Sequence, residues 1–166
     1  MYQRILLPID GSSTSLQALQ EVRRIARPGT TVRVVTVVED PVASFPTVYG
    51  GYSEIEAIRS ALLEEGKQML ASAQHELQDQ GITAQTKLLD LRDLGGDIPS
   101  AIKSASDAWQ ADVIVLGTHG RRGARRLFLG SVAEHLVRIA DCPVLLVRSD
   151  EPKSTEKPTQ PHGVLS

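Results

Sequence analysis

The stretch "ADVIVLGTHGRRGARRLFLGSVAEHL", residues 111–136, joins three kinds of sequence end to end. An apolar run closes at Leu116, a span holding four glycines and four arginines covers 117–130, and an apolar-periodic segment starts at Val132. A strand without polar alternation is buried on both faces, which is the habit of parallel sheets covered by helices. A strand that feeds a helix through a bare, basic loop therefore predicts one β-loop-α unit of a layered α/β fold.

The same unit recurs along the chain. "RILLPID" (4–10) reads as a buried strand broken at residues 8–11. A helix follows, with Ser12, Ser13 and Thr14 as cap candidates, Thr14 with Gln17 resembling a capping box, and Leu16, Leu19, Val22 and Ala26 at helical spacing up to Pro28 and Gly29. "TVRVVTVV" (31–38) is a β-branched second strand. From 54 to 80, Ile55, Ile58, Leu62, Met69, Ala73 and Leu77 form one stripe of a long helix closed by Gly81. "ITAQTKLLDL" (82–91) alternates and so belongs near a sheet edge. Asp97 and Pro99 open a short helix carrying Ile102 and Ala105. After the quoted loop, Val132, Leu136, Ile139 and Ala140 mark a last helix and "PVLLV" (143–147) a last strand. The order predicts a doubly wound, mostly parallel five-stranded sheet with helices on both faces, Rossmann-like, whose ligands belong at the carboxyl ends of the strands.

Composition narrows the function classes. At 166 residues and 41% hydrophobic content the chain suits one domain over 1–148. The proline-bearing polar segment 149–166 reads as a disordered tail. A net charge of -2 gives no global pull toward nucleic acid or anionic membrane, and the four arginines lack an aromatic platform for single strands. The single cysteine, Cys142, rules out an internal disulfide, and the four histidines form no metal triad by spacing. With no apolar run near 18 residues and no cleavable leader pattern, a cytoplasmic protein is expected.

Segment 39–54, "EDPVASFPTVYGGYSE", holds Phe45, Tyr49 and Tyr52, three of the six aromatics. It is either an ordinary surface loop or a flap over a site. "DLRDLGGDIP" (90–99) either reaches toward a ligand or is simply a longer connection.

Glycines at 117, 120 and 130 ahead of Ser131 fit a phosphate cradle, because a helix N-terminus presents unpaired N–H groups and glycine lets backbone amides approach an anion. The alternative is that they only permit turns and that the arginines are a solvated face. No two glycines are spaced G-x-G apart, and the only Gly-Lys pair, Gly66 and Lys67, falls mid-helix before Gln68, so neither familiar phosphate fingerprint applies. Asp10, at a strand end, either caps the next helix or accepts from an exocyclic amine, and the two roles are compatible. His119 is the sole candidate base near the phosphates, though a histidine there is more often a turn or hydrogen-bonding residue. Catalysis at such a phosphate site is therefore expected to be weak at most.

Gly117-2x-Gly120-9x-Gly130-Ser131, followed by "VAEHLVRIADCPVLLV" and preceded far upstream by "ILLPIDGS", closely resembles the universal stress protein family over residues 2–148. It is similar to the family's ATP-binding branch. The resemblance implies a stress-response regulator that holds ATP, accompanied by Mg2+, with Gly117, Gly120, Gly130, Ser131 and Val132 around phosphates and ribose. It implies Asp10 on the adenine edge, Pro8, Val37 and Leu116 lining the base pocket, and His119 within the loop. The competing class is a slow ATPase or nucleotidyl-transferring enzyme, for which "DGSSTS" is only a faint second loop. The last strand, apolar from Val144 through Leu145 and Leu146 to Val147, should sit at a sheet edge and pair with a second copy, as the family resemblance also implies.

Overall fold

A computed structural model describes residues 2–44, 52–118 and 129–148. Among them are β1 (Arg4–Pro8), α1 (Ser13–Ile25), β2 (Thr31–Val38), α2 (Pro41–Ser44), α3 (Tyr52–Gln78), β3 (Thr83–Asp90), α4 (Leu91–Leu94), α5 (Ile98–Trp109), β4 (Val113–Gly117), α6 (Ser131–Ile139) and β5 (Val144–Val147). The strands form one sheet in the order β3-β2-β1-β4-β5. Every neighbouring pair is parallel, so the doubly wound sheet expected from the alternation of elements is present and wholly parallel. β3 and β5 are its edges, as their sequences suggested.

Two apolar layers hold helices to the sheet. On one face Ile5, Leu7, Val34 and Val115 pack with Leu19 and Val22 of α1 and with Leu70 and Leu77 of α3. On the other, Leu6, Val35, Ile114 and Leu116 pack with Ile102 of α5 and Leu136 of α6. A parallel sheet must be covered on both sides, and the alternating inward positions of each strand supply both cores. No helix of the described residues is long and apolar enough to cross a membrane.

Local chemistry sets the helix starts. Asp97 caps α5 by accepting from the Ser100 N–H, with Pro99 in the first turn, as its sequence predicts. At α1 the cap is Ser12, whose Oγ accepts from Ser15 N at 3.2 Å, so the Thr14 and Gln17 box does not form. The Ser15 hydroxyl instead donates back to the Ser12 carbonyl at 2.9 Å. Asp10 does not cap directly; its Oδ1 accepts from Ser12 N at 2.9 Å and so holds the capping residue.

Two predicted stripes are corrected. In α1 the buried residues are Thr14, Ser15, Ala18, Leu19 and Val22, while Leu16 is 54% exposed. In α3 the side chains that bury are Leu70, Ala73 and Leu77, while Ile58 is 39% exposed and Ile55 and Leu62 are half-buried. In α1 Leu16 lies off the packed face; in α3 the physical reason is length. At 1.5 Å per residue the 27 residues of α3 extend about 40 Å, against about 26 Å for the eight residues of β2. The amino-terminal half of the helix therefore overhangs the carboxyl edge of the sheet. Segment 39–54, expected as loop, contains the short helix α2; Phe45 and Tyr49, the side chain of Tyr52 and the tail 149–166 lie outside the described residues.

Candidate functional site

The chain runs from β1 to β2 and β3 on one side of the sheet, then returns to place β4 on the other side of β1. Between β1 and β4 the direction of winding reverses, and such a switch point opens a crevice beyond the carboxyl ends of the strands. A cleft of about 440 Å3 lies there, within the range of small-molecule sites.

Its floor is made by the strand ends, Pro8 of β1, Val37 of β2, and Leu116 and Gly117 of β4. One wall is the first turn of α6 with Ile98 and Ile102 of α5; the other is α3, through Leu62, Glu65, Gly66 and Met69. Of the residues the sequence marked, Pro8, Asp10, Val37, Leu116, Gly117, Gly130, Ser131 and Val132 all line this cleft. His119 and Gly120 lie outside the described residues.

The α6 end carries the strongest chemical signal. Gly130 is the cap, extended at φ -62 and ψ 150, and among the described residues no side chain caps the helix. Without such a cap, the first-turn N–H groups are directed out of the helix end with the positive pole of its dipole. The approach is fixed on both sides. Thr118 donates its N–H to Val147 O at 2.8 Å and accepts from Gly130 N at 2.8 Å, so the loop between them starts and ends on one buried threonine.

Gly117 has a steric task in addition to the one its motif suggests. Its φ is not left-handed. A Cβ there would stand 2.6 Å from Thr14 Oγ1 and 2.7 Å from the Thr14 carbonyl carbon. It is a close-approach glycine that lets the start of α1 press on the end of β4, and with it brings Asp10 and Ser12 to the cleft.

Glu39, just past β2, and Glu65 of α3 also line the cleft. Sequence reasoning missed the α3 wall and Thr36 of β2, since Thr36, Glu65, Gly66 and Met69 belong to no motif. One signal was available: a glycine inside a helix pattern marks close packing, and a Gly66 Cβ would sit 3.2 Å from methyl groups of Thr36 and Leu88.

The 90–99 connection does not enter the cleft until Ile98. It is the compact helix α4 followed by Gly95 and Gly96, both left-handed. Asp90 caps α4 and accepts from Arg92 N, while the Arg92 guanidinium reaches Asp40 and Glu56. Hydrogen bonding to Arg92 holds the Asp40 carboxyl below the usual carboxylate range.

A model of the universal stress protein family matches residues 1–148. The chain belongs to that family. Universal stress protein MJ0531 of Methanocaldococcus jannaschii is 33% identical to it over 150 residues, which are 89% of this chain and 83% of that one. A solved universal stress protein family structure from Burkholderia pseudomallei matches with a TM-score of 0.71 at 30% identity, covering 89% of this chain and 97% of that one. An Arabidopsis thaliana universal stress protein family structure with AMP bound shares the fold at a TM-score of 0.64 and 16% identity, over 89% of this chain and 92% of that one. The universal stress protein fold thus accounts for the sheet order and for the crevice at its switch point.

Proposed function

We propose that this universal stress protein is a regulatory ATP-binding protein of the cytoplasm, a single domain over 1–148 with a tail at 149–166, that binds the nucleotide across the β1/β4 crevice. The observation that carries this reading is the uncapped N-terminus of α6 opening on a cleft that also gathers the eight marked residues. Phosphates and ribose sit at Gly117, Gly130, Ser131 and Val132, with His119 and Gly120 in the loop beyond. The base lies on Pro8, Val37 and Leu116, and Asp10 accepts from its exocyclic amine. The AMP-bound Arabidopsis thaliana protein supports an adenine nucleotide as the ligand of this fold. Among the described residues no group of three or more His, Cys, Asp or Glu is placed to hold a metal. Mg2+ is proposed to arrive on the phosphate oxygens of ATP, as it commonly does in nucleotide sites. Turnover is proposed to be slow at most.

Calorimetry is the test. ATP should bind between low micromolar and submillimolar strength, roughly -8 to -5 kcal/mol. GTP should bind at least about tenfold more weakly, because guanine places an acceptor where adenine offers Asp10 a donor. Absence of binding at millimolar ATP would sink the reading.

A homodimer through β5 is proposed alongside. The strand is an edge, pairing only with β4 among the described residues. Leu145 is 36% exposed, and Val137 on α6 is 48% exposed. Unpaired backbone beside exposed apolar side chains is an association surface. Val147 packs on the α1-side core, so a charge there would damage the fold, whereas Leu145→Arg disturbs only the edge. Light scattering should give twice the 18.0 kDa chain mass for the wild type and the chain mass for Leu145→Arg. A monomeric wild type, or a dimer indifferent to the substitution, would place the proposal in error.

A further inference from the structure

Between Ser53 and Glu65 no side chain of α3 is fully buried. Apolar packing therefore anchors the carboxyl half of this helix and leaves the overhanging half to other forces. Polar contacts take over there. Arg59 pairs with Asp90 at the end of β3. Glu56 accepts from Arg92 Nη1 at 2.6 Å, and the other arm of the same guanidinium donates to Asp40 at 3.0 Å. One arginine thus ties the overhang of α3 to the chain leaving β2, and Asp90 holds both Arg59 and, by capping α4, the backbone of Arg92.

None of these five residues lines the cleft, yet each tie ends beside it. Asp40 sits between Glu39 and Pro41, which do line it, and the overhang continues into Leu62 and Glu65, which form its α3 wall. The cluster is not arranged for global stability. Arg59 Nε is buried with no partner among the described residues, and the partly exposed ties of Arg92 to Asp40 and Glu56 contribute little to folding. What a forked guanidinium between two carboxylates does supply is fixed geometry.

We propose that Arg92, with Asp40, Glu56 and the Arg59–Asp90 pair, is a positioning network that holds the α3 and β2 wall of the cleft in its binding shape. It acts on the base half of the ligand and leaves the phosphate half to α6. The inference rests on the nucleotide reading given above and adds the means by which affinity is set from outside the site. A wall correctly placed only a tenth of the time lowers affinity about tenfold, because the ligand must select that fraction.

The full chain carrying Arg92→Ala is to be titrated with ATP, adenosine and inorganic tripolyphosphate. ATP and adenosine should both weaken about tenfold, tripolyphosphate should change by less than about twofold, and the thermal midpoint should stay near the wild type. Arg92→Lys, a point charge that cannot bridge both carboxylates in one fork, should recover only part of the loss. Adenosine carries no charge, so a fall in its wild-type affinity as salt rises reports the network itself, and the fall should vanish in Arg92→Ala. If Arg92→Ala fails to fold, Glu56→Gln removes one arm with the same expected pattern. Equal loss of tripolyphosphate affinity, or unchanged adenosine affinity in a protein that binds ATP normally, overturns this inference alone. A wild type that binds none of the three probes overturns the nucleotide reading and this one with it.

Discussion

Gly117→Ala is expected to destabilise the protein by about 3 kcal/mol, a large effect for one added methyl group. The new Cβ would meet Thr14 Oγ1, the Thr14 carbonyl carbon and Thr14 Cβ at 2.6, 2.7 and 2.8 Å. Two of those atoms are carbon at the root of a residue that is 3% exposed, so no flexible tip can swing away. The first turn of α1 must move, and it is held by the Ser12 cap and by Asp10. Urea unfolding read by the fluorescence of Trp109, the one tryptophan, gives the measurement. Trp109 lies at the far end of α5, stacked under Arg33 at 4.6 Å, and reports the fold without touching the mutated contact. The midpoint should drop by about 1 to 2 M for a chain of this size. Gly95→Ala is the comparison. Gly95 has φ +69 and ψ -177, and a methyl group added there would meet nothing within 4 Å, so only its backbone strain counts and the loss should be about 1 to 3 kcal/mol. A Gly117→Ala variant within about 0.5 kcal/mol of the wild type would mean that α1 yields at no cost.

That contrast shows what a sequence can and cannot disclose. The sequence marks Gly117 as part of a phosphate motif, and it does border the cleft, but its steric task depends on which helix crosses the end of β4. A motif records the need for glycine without recording the reason. The strands were legible because residues 113–116 and 5–7 lie between two covered faces and read as apolar runs, and the Asp97 cap was legible because it acts within four residues. The edge positions of β3 and β5 followed from alternation and from chain order. Leu16 misled because the packed face of α1 runs through Ser15, Ala18, Leu19 and Val22 beside it, and Ile58 because periodicity identifies a face but not where the sheet beneath it stops. The α3 wall and the Arg92 ties were invisible for the same reason. They arise where a helix outruns its sheet, and the contacts that result, Glu56 with Arg92 and Asp40 with Arg92, join residues 36 and 52 positions apart.

Ser131→Asp is expected to move stability and affinity in opposite directions. Ser131 is the first residue of α6, directly after the uncapped Gly130. A carboxylate in this turn meets the positive pole of the helix and should stabilise the fold by about 0.3 to 1 kcal/mol at low ionic strength. The same carboxylate stands where the proposed phosphates bind. One unit charge about 4 Å from another costs about 4 kcal/mol near a protein surface, and a triphosphate brings several charges. Loss of the anion site should therefore weaken ATP by at least a hundredfold, each 1.4 kcal/mol being about a factor of ten. Adenosine, without phosphates, should bind Ser131→Asp as it binds the wild type. Ser131→Ala removes only a hydroxyl and should weaken ATP by about tenfold or less. Calorimetry with ATP and adenosine, run beside urea unfolding on each variant, separates these outcomes. If Ser131→Asp keeps ATP within about threefold of the wild type while remaining folded, the phosphates do not lie at α6. If its stability falls together with its affinity, the loss belongs to the fold rather than to charge. Only higher stability combined with lost ATP binding fits a helix end that is left uncapped because a ligand completes it.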